Sequence, residues 1–172
     1  MKNIEIKAKY PNLKRAEEIA VRLGAQFQWR KKQLDTYFKV PNGRLKLREA
    51  EGESAELIGY FRPDVDESKE SRYEIVSLEH GEELRRILGA SLGVVAVVSK
   101  TRTLYLHANV RIHLDEVDGL GNFVEFEGVL EEGEDEGKTR KLMEDMQEQF
   151  EITQIDLIAV SYGDLLLQVD GL

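Results

Sequence analysis

From Ile4 to Tyr10 apolar and charged residues alternate, with Ile4, Ile6, Ala8 and Tyr10 on one side and Glu5, Lys7 and Lys9 on the other. This period-2 pattern predicts a strand with one buried face. Pro11 ends it, and Asn12 caps a helix over about Leu13–Leu23, whose apolar positions Leu13, Ala16, Ile19, Ala20 and Leu23 recur at helical spacing before Gly24. Two strands are predicted next, at about Gln26–Lys31 and Leu34–Val40. Pro41-Asn42-Gly43 is a hairpin signal leading into a return strand over Arg44–Glu49. Leu57–Phe61 and Arg72–Leu78 form another strand pair around the charged loop 62–70. Further along, the pattern predicts a helix over Glu82–Leu88, a long hairpin of Val94–Leu106 with Asn109–Val117, and a turn at 119–122 into the strand Phe123–Val129. Helices over about Gly137–Phe150 and Asp156–Leu167 complete the chain. Eight or nine strands with four helices, and no linker or repeat, predict one α+β domain over 1–172. Its architecture is an antiparallel β-barrel of about eight strands with peripheral helices.

Residues two apart in a strand share a face, and this locates the charge. Lys7 with Lys9, Arg44 with Lys46 and Arg48, Lys100 with Arg102, and single positions Arg72 and Arg111 bring nine bases onto the polar faces. Five acids join them: Glu5, Glu74, Asp115, Glu125 and Glu127. The remaining 15 of 24 bases and 28 of 33 acids lie elsewhere, so positive charge is concentrated on one side of the sheet. A solvated outer face is the commoner origin of such alternation, but it mixes Thr, Ser, Gln and both charge signs, whereas this face is mainly Arg and Lys. The helices carry enough apolar surface to coat the outside of a curved sheet, which turns the charged face inward. Carboxylates at Glu5, Asp115, Glu125 and Glu127 suit hard cations such as Mg²⁺ or Mn²⁺. Bases and carboxylates facing inward together point to a triphosphate bound with its metal ion.

Composition narrows the function further. The net charge of −9 over 172 residues argues against nucleic acid as the main partner. No apolar run approaches a membrane span and the first ten residues lack a secretory pattern, so a cytoplasmic location is expected. The absence of cysteine removes disulfides, thiolate metal sites and Cys nucleophiles. A homodimer would not be surprising.

The motifs, in order, resemble the CYTH superfamily, the triphosphate tunnel metalloenzymes that include class IV adenylyl cyclases and thiamine triphosphatases. The resemblance rests on Ile4-Glu5-Ile6-Lys7, Asp35-Thr36-Tyr37-Phe38, Leu45-Lys46-Leu47-Arg48, Ser71-Arg72-Tyr73-Glu74 and Lys100-Thr101-Arg102. It extends through Arg111–Glu127 and Ser161-Tyr162 with Leu165-Leu166. Gly119-Leu120-Gly121-Asn122-Phe123-Val124-Glu125 is closest to the cyclase branch. The resemblance implies a barrel enclosing the triphosphate, with Glu5, Glu125 and Glu127 as metal ligands and Asp115 close by. Lys7, Lys46, Arg48, Arg72, Lys100, Arg102 and Arg111 would hold phosphates, joined by Lys9, and Lys7, Lys100 and Arg102 would serve catalysis. The implied substrate is a nucleoside triphosphate or polyphosphate, and the implied activity is conversion of ATP to cyclic AMP and pyrophosphate. Triphosphate hydrolysis and non-catalytic polyphosphate binding are the alternatives. Two positions depart from the family pattern: Asn3 replaces an acid, and Phe61 stands where a lysine is usual. His113 is read as a hydrogen-bonding liner of the charged face.

Overall fold

The computed structural model describes residues 2–61 and 72–169. Among these, eight strands and four helices follow as β1 (Lys2–Lys9), α1 (Leu13–Arg22), β2 (Gln26–Phe38), β3 (Arg44–Ala50), β4 (Ala55–Phe61), β5 (Arg72–Leu78), α2 (Gly81–Leu92), β6 (Val94–His107), β7 (Val110–Val117), β8 (Gly121–Leu130), α3 (Glu136–Gln149) and α4 (Tyr162–Val169). The strands hydrogen-bond in the order β1-β8-β7-β6-β2-β3-β4-β5. The registers of β1 with β8, β7 with β8, and β3 with β2 and β4 are all antiparallel. This is the expected α+β class. The charged loop read at 62–70 lies outside the described residues.

The chain makes two compact units, Met1–Lys31 with Thr101–Val160 and Lys32–Lys100 with Ser161–Leu172. In the first, Ile112, Leu114, Val124 and Phe126 form one face of β7 and β8, packed with Ala16, Ile19 and Ala20 of α1 and Met143 and Met146 of α3. Gly128 marks how closely α3 approaches, since a Cβ there would meet Thr139 Cγ2 at 2.6 Å and Met143 Sδ at 2.8 Å. In the second unit, Phe38, Leu47 and Ala55 are buried with Leu45, Leu57 and Leu78 against Leu84 and Leu88 of α2. Both cores are ordinary hydrophobic layers of sheet against helix. Arg111, His113, Asp115, Glu125 and Glu127 in the first unit, and Lys46 and Arg48 in the second, alternate with these core residues and occupy the other face.

Two elements differ from the sequence pattern. Gln26–Phe38 is one continuous strand, because the polar Lys31-Lys32-Gln33 stretch that breaks the apolar pattern keeps extended backbone. The helix expected over 156–167 is shorter. A 3-10 turn at Gln154–Asp156 is closed by reciprocal bonds between Thr153 and Asp156. After it the chain runs extended, with Leu157 bridged to Ala8 and the Ile158 N–H donating to the Lys7 carbonyl at 2.8 Å. Pairing with β1 satisfies backbone groups that a helix would otherwise have satisfied.

Candidate functional site

In the first unit the charged face is built by register. Glu5 lies opposite Glu127 and Lys7 opposite Glu125 across β1 and β8, while Arg111 faces Glu127 and His113 faces Glu125 across β7 and β8. Arg102 of β6 grips Asp115 with both prongs, Nε to Oδ1 at 2.7 Å and Nη2 to Oδ2 at 2.6 Å. Asp115 is fully buried and Arg102 is 6% exposed. Glu125 receives Lys7 at 3.8 Å, Arg102 at 3.9 Å and His113 Nδ1 at 3.3 Å. Glu127 accepts a bond from Asn3 Nδ2 at 2.6 Å and has Arg111 at 3.6 Å and His113 Nε2 at 3.8 Å. Lys7 also donates to the Val160 carbonyl at 3.3 Å. Lys9, opposite Phe123, is exposed.

Burial disfavours the charged form of Glu125, yet its bond from His113 and the charges of Arg102 and Lys7 hold its carboxyl well below the usual range. Burial and Arg102 push the His113 imidazole down, against the pull of Glu125. The ring is therefore neutral at pH 7, and its bond to Glu125 places the proton on Nδ1.

In the second unit Asp35 of β2 is the centre. Its carboxylate accepts Arg48 Nε and Nη2, both at 2.9 Å, and Lys100 Nζ at 2.9 Å, with Lys46 Nζ at 3.6 Å. Asp35 is 1% exposed, Lys100 3% and Lys46 6%. Burial opposes ionisation, but Lys46, Lys100 and Arg48 together keep the Asp35 carboxyl far below its ordinary value. Aromatic rings flank the lysines: Lys46 Nζ is 5.7 Å from the Tyr37 centroid and 5.3 Å from that of Tyr60, and Lys100 Nζ is 5.8 Å from that of Tyr162. Burial and the Asp35 charge raise the Tyr37 phenol, so it stays neutral. Arg44 pairs with Asp164 of α4 at 2.9 Å.

The first unit thus gathers Glu5, Lys7, Arg102, Arg111, Asp115, Glu125 and Glu127, and the second gathers Lys46, Arg48 and Lys100. Glu74 does not join them. It is exposed and stands opposite Gly59, which stands opposite Leu45, on the α2 side of the sheet. Arg72 stands opposite Phe61, and its side chain lies outside the described residues. On β4 the neighbour of Lys46 and Arg44 is Tyr60 and Ile58, not Phe61. His113 lines the charged face by hydrogen bonding to Glu125, as the sequence reading has it, whereas Asp35, part of the Asp35-Thr36-Tyr37-Phe38 motif, had no role assigned to it. The available signal for Asp35 was a lone acid among uncharged residues over Gln33–Phe38.

These shifts all make acid unfavourable. The unfolded chain protonates its histidines near pH ~6.5, whereas native His113 resists, so its contribution is full above that pH and fades as pH falls below it. The depressed carboxyls of Asp35 and Glu125 contribute stability above their unfolded values near pH ~4, lost as pH falls through the native ones. Urea denaturation is expected to show stability declining from pH 7.5 to 5, with His113→Gln flattening that decline. An equally steep decline in the variant would assign it to other groups.

The fold and its two charged clusters define a class. The chain belongs to the CYTH domain family, whose profile matches residues 1–162. It is 28% identical to a protein of Methanocaldococcus jannaschii named as a candidate adenylate cyclase, over 96% of this chain and 98% of that one. A solved protein of Pyrococcus horikoshii superposes with a TM-score of 0.82 at 22% identity, covering 95% of this chain and 98% of its own. A candidate adenylyl cyclase of Hippeastrum, whose structure is described as revealing a dominant triphosphatase activity, superposes with a TM-score of 0.70 at 15% identity, covering 98% and 96%. No helix among the described residues is long and apolar enough to cross a membrane.

Proposed function

We propose that this protein is a divalent-metal-dependent enzyme acting on a triphosphate, and that it converts ATP to a cyclic nucleotide and pyrophosphate. One observation supports the triphosphate: three largely buried cations, Lys46, Arg48 and Lys100, converge on one point, the carboxylate of Asp35. Phosphate oxygens suit both the Arg fork and the Lys ammonium.

Both oxygens of Asp115 are taken by Arg102, so Asp115 serves as its anchor and not as a ligand. Among the described residues no group of three or more acidic or histidine side chains is arranged to hold a metal. Glu5 and Glu127 stand directly opposite one another and bring two carboxylates to one place on this face. Two carboxylates are what Mg²⁺ takes when substrate phosphates and water supply its remaining oxygens. The donor set therefore fits Mg²⁺ or Mn²⁺ held by Glu5 and Glu127, with Glu125 behind them. When bound, the ion neutralises phosphate charge and polarises phosphorus.

Lys46, Arg48 and Lys100 then bind phosphate oxygens, and Lys7, Arg102 and Arg111 oppose charge that develops as a phosphorus–oxygen bond breaks. In the cyclase reaction the ribose 3′-oxygen attacks the α-phosphorus and pyrophosphate leaves with the bridging oxygen. The 119–127 stretch and the Methanocaldococcus relative support this outcome. The Hippeastrum protein supports a second reading, in which water attacks the terminal phosphorus. Purified protein with ATP and Mn²⁺ is expected to yield pyrophosphate and cyclic AMP in equal amounts. Orthophosphate from ATP or tripolyphosphate without cyclic product would replace the cyclase reading with the hydrolase. Binding without turnover would leave a polyphosphate-binding module.

A further inference from the structure

The phosphate-binding role given to Lys46, Arg48 and Lys100 leaves Asp35 unexplained. A site meant to capture a polyanion places a carboxylate at its centre, 1% exposed, where it repels the ligand. Building on the triphosphate reading, we propose that Asp35 is the resident counter-anion of this cluster. It keeps three cations converged while no substrate is bound, and it holds polyphosphate affinity below what the same cations would give without it.

The geometry carries this. Arg48 is locked by two bonds to separate Asp35 oxygens, and Lys100 reaches the second oxygen at the same 2.9 Å. Lys46 stands farther off, at 3.6 Å, with Tyr37 and Tyr60 close to its ammonium. Arg48 is thus fixed to Asp35 by a fork, while each lysine, a compact charge on a flexible stem, meets Asp35 through its ammonium alone, a contact that an incoming oxygen can replace. Asp35 therefore holds the cations converged before the ligand arrives. The cost is one negative charge that remains beside the bound phosphates, which limits affinity and favours release of a polyanionic product. A carboxylate with only a structural role would be needed equally with and without ligand.

Asp35→Asn keeps the size of the side chain and removes its charge. Isothermal titration with inorganic tripolyphosphate, without metal, is expected to show wild-type binding and about tenfold tighter binding by the variant, one unit charge being worth that much or more in a buried cluster. The logarithmic salt dependence should steepen as one more cation becomes available to the ligand. The free variant should melt at lower temperature, and tripolyphosphate should raise its melting point by more than it raises that of wild type. Binding equal to or weaker than wild type would overturn the proposal. Should Asp35→Asn fail to fold, the comparison moves to a background with one fewer cation: Asp35→Asn/Lys100→Gln is expected to bind tripolyphosphate more tightly than Lys100→Gln. The reverse order, or no difference, would overturn the proposal there. Failure of the wild-type protein to bind tripolyphosphate would instead overturn the triphosphate reading on which this rests.

Discussion

Glu127→Gln is expected to reduce metal-dependent turnover by at least about 100-fold, the scale on which loss of transition-state charge stabilisation acts, while leaving the fold intact. Glu127 stands opposite Glu5 in the β1–β8 register and accepts a hydrogen bond from Asn3. Glutamine retains an oxygen for that bond but withdraws the charge that a divalent ion needs. Asn3 already supplies an uncharged side chain on this face, so a second neutral residue leaves Glu5 as the main anionic donor at that end of β1. Steady-state rates over a range of Mn²⁺ concentrations provide the check. Unchanged dependence on Mn²⁺, with unchanged rate, would remove Glu127 from the site. Melting temperature should move little, because glutamine keeps the bond from Asn3, and loss of the Arg111 contact at 3.6 Å is offset by removal of the like charge opposite Glu5.

Asp115→Ala should have the opposite profile, a large loss of stability. Arg102 donates two short bonds to Asp115, and both residues are buried. Removing Asp115 takes both short bonds from a buried guanidinium and leaves it the longer contact with Glu125 at 3.9 Å, a loss of about 3 kcal/mol. The exposed pair of Arg140 with Glu136, at a similar 2.6 Å, illustrates the contrast. There both groups keep their water, and breaking the pair should cost under ~1 kcal/mol. Urea denaturation of the two variants, Asp115→Ala and Glu136→Ala, measures the difference directly. Equal and small losses would mean that Arg102 finds another anion or water when Asp115 is gone.

What the sequence revealed, and what it withheld, follows from the geometry of strands. Alternation within β3 put Lys46 and Arg48 on one face and Leu45 and Leu47 on the other, and the core packs that way. Within β7 it separated Arg111, His113 and Asp115 from Ile112 and Leu114 equally well. Alternation does not say which face of one strand continues onto the next, because that is fixed by register across the ladder. This is why Glu74, grouped with the bases by its own strand, belongs with the leucine side. Phe61 likewise sits opposite Arg72, not beside Lys46. Asp35 was hidden for a different reason. Its importance lies in three partners brought in from 11, 13 and 65 residues away, and no local pattern records distances of that kind.

The extended stretch after the 3-10 turn has a bearing on how the first unit is finished. β1 ends the strand order, and a terminal strand presents unpaired backbone groups that invite pairing with another chain. The Ile158 N–H takes the Lys7 carbonyl, and the Val160 carbonyl takes the Lys7 ammonium, so the same few residues hem the sheet and steady a lysine of the charged face. Residues 157–160 are therefore poor ground for trimming or fusion. A cut there would free a margin prone to aggregation and loosen Lys7 together, mimicking a substitution on the charged face while every charged residue was still present.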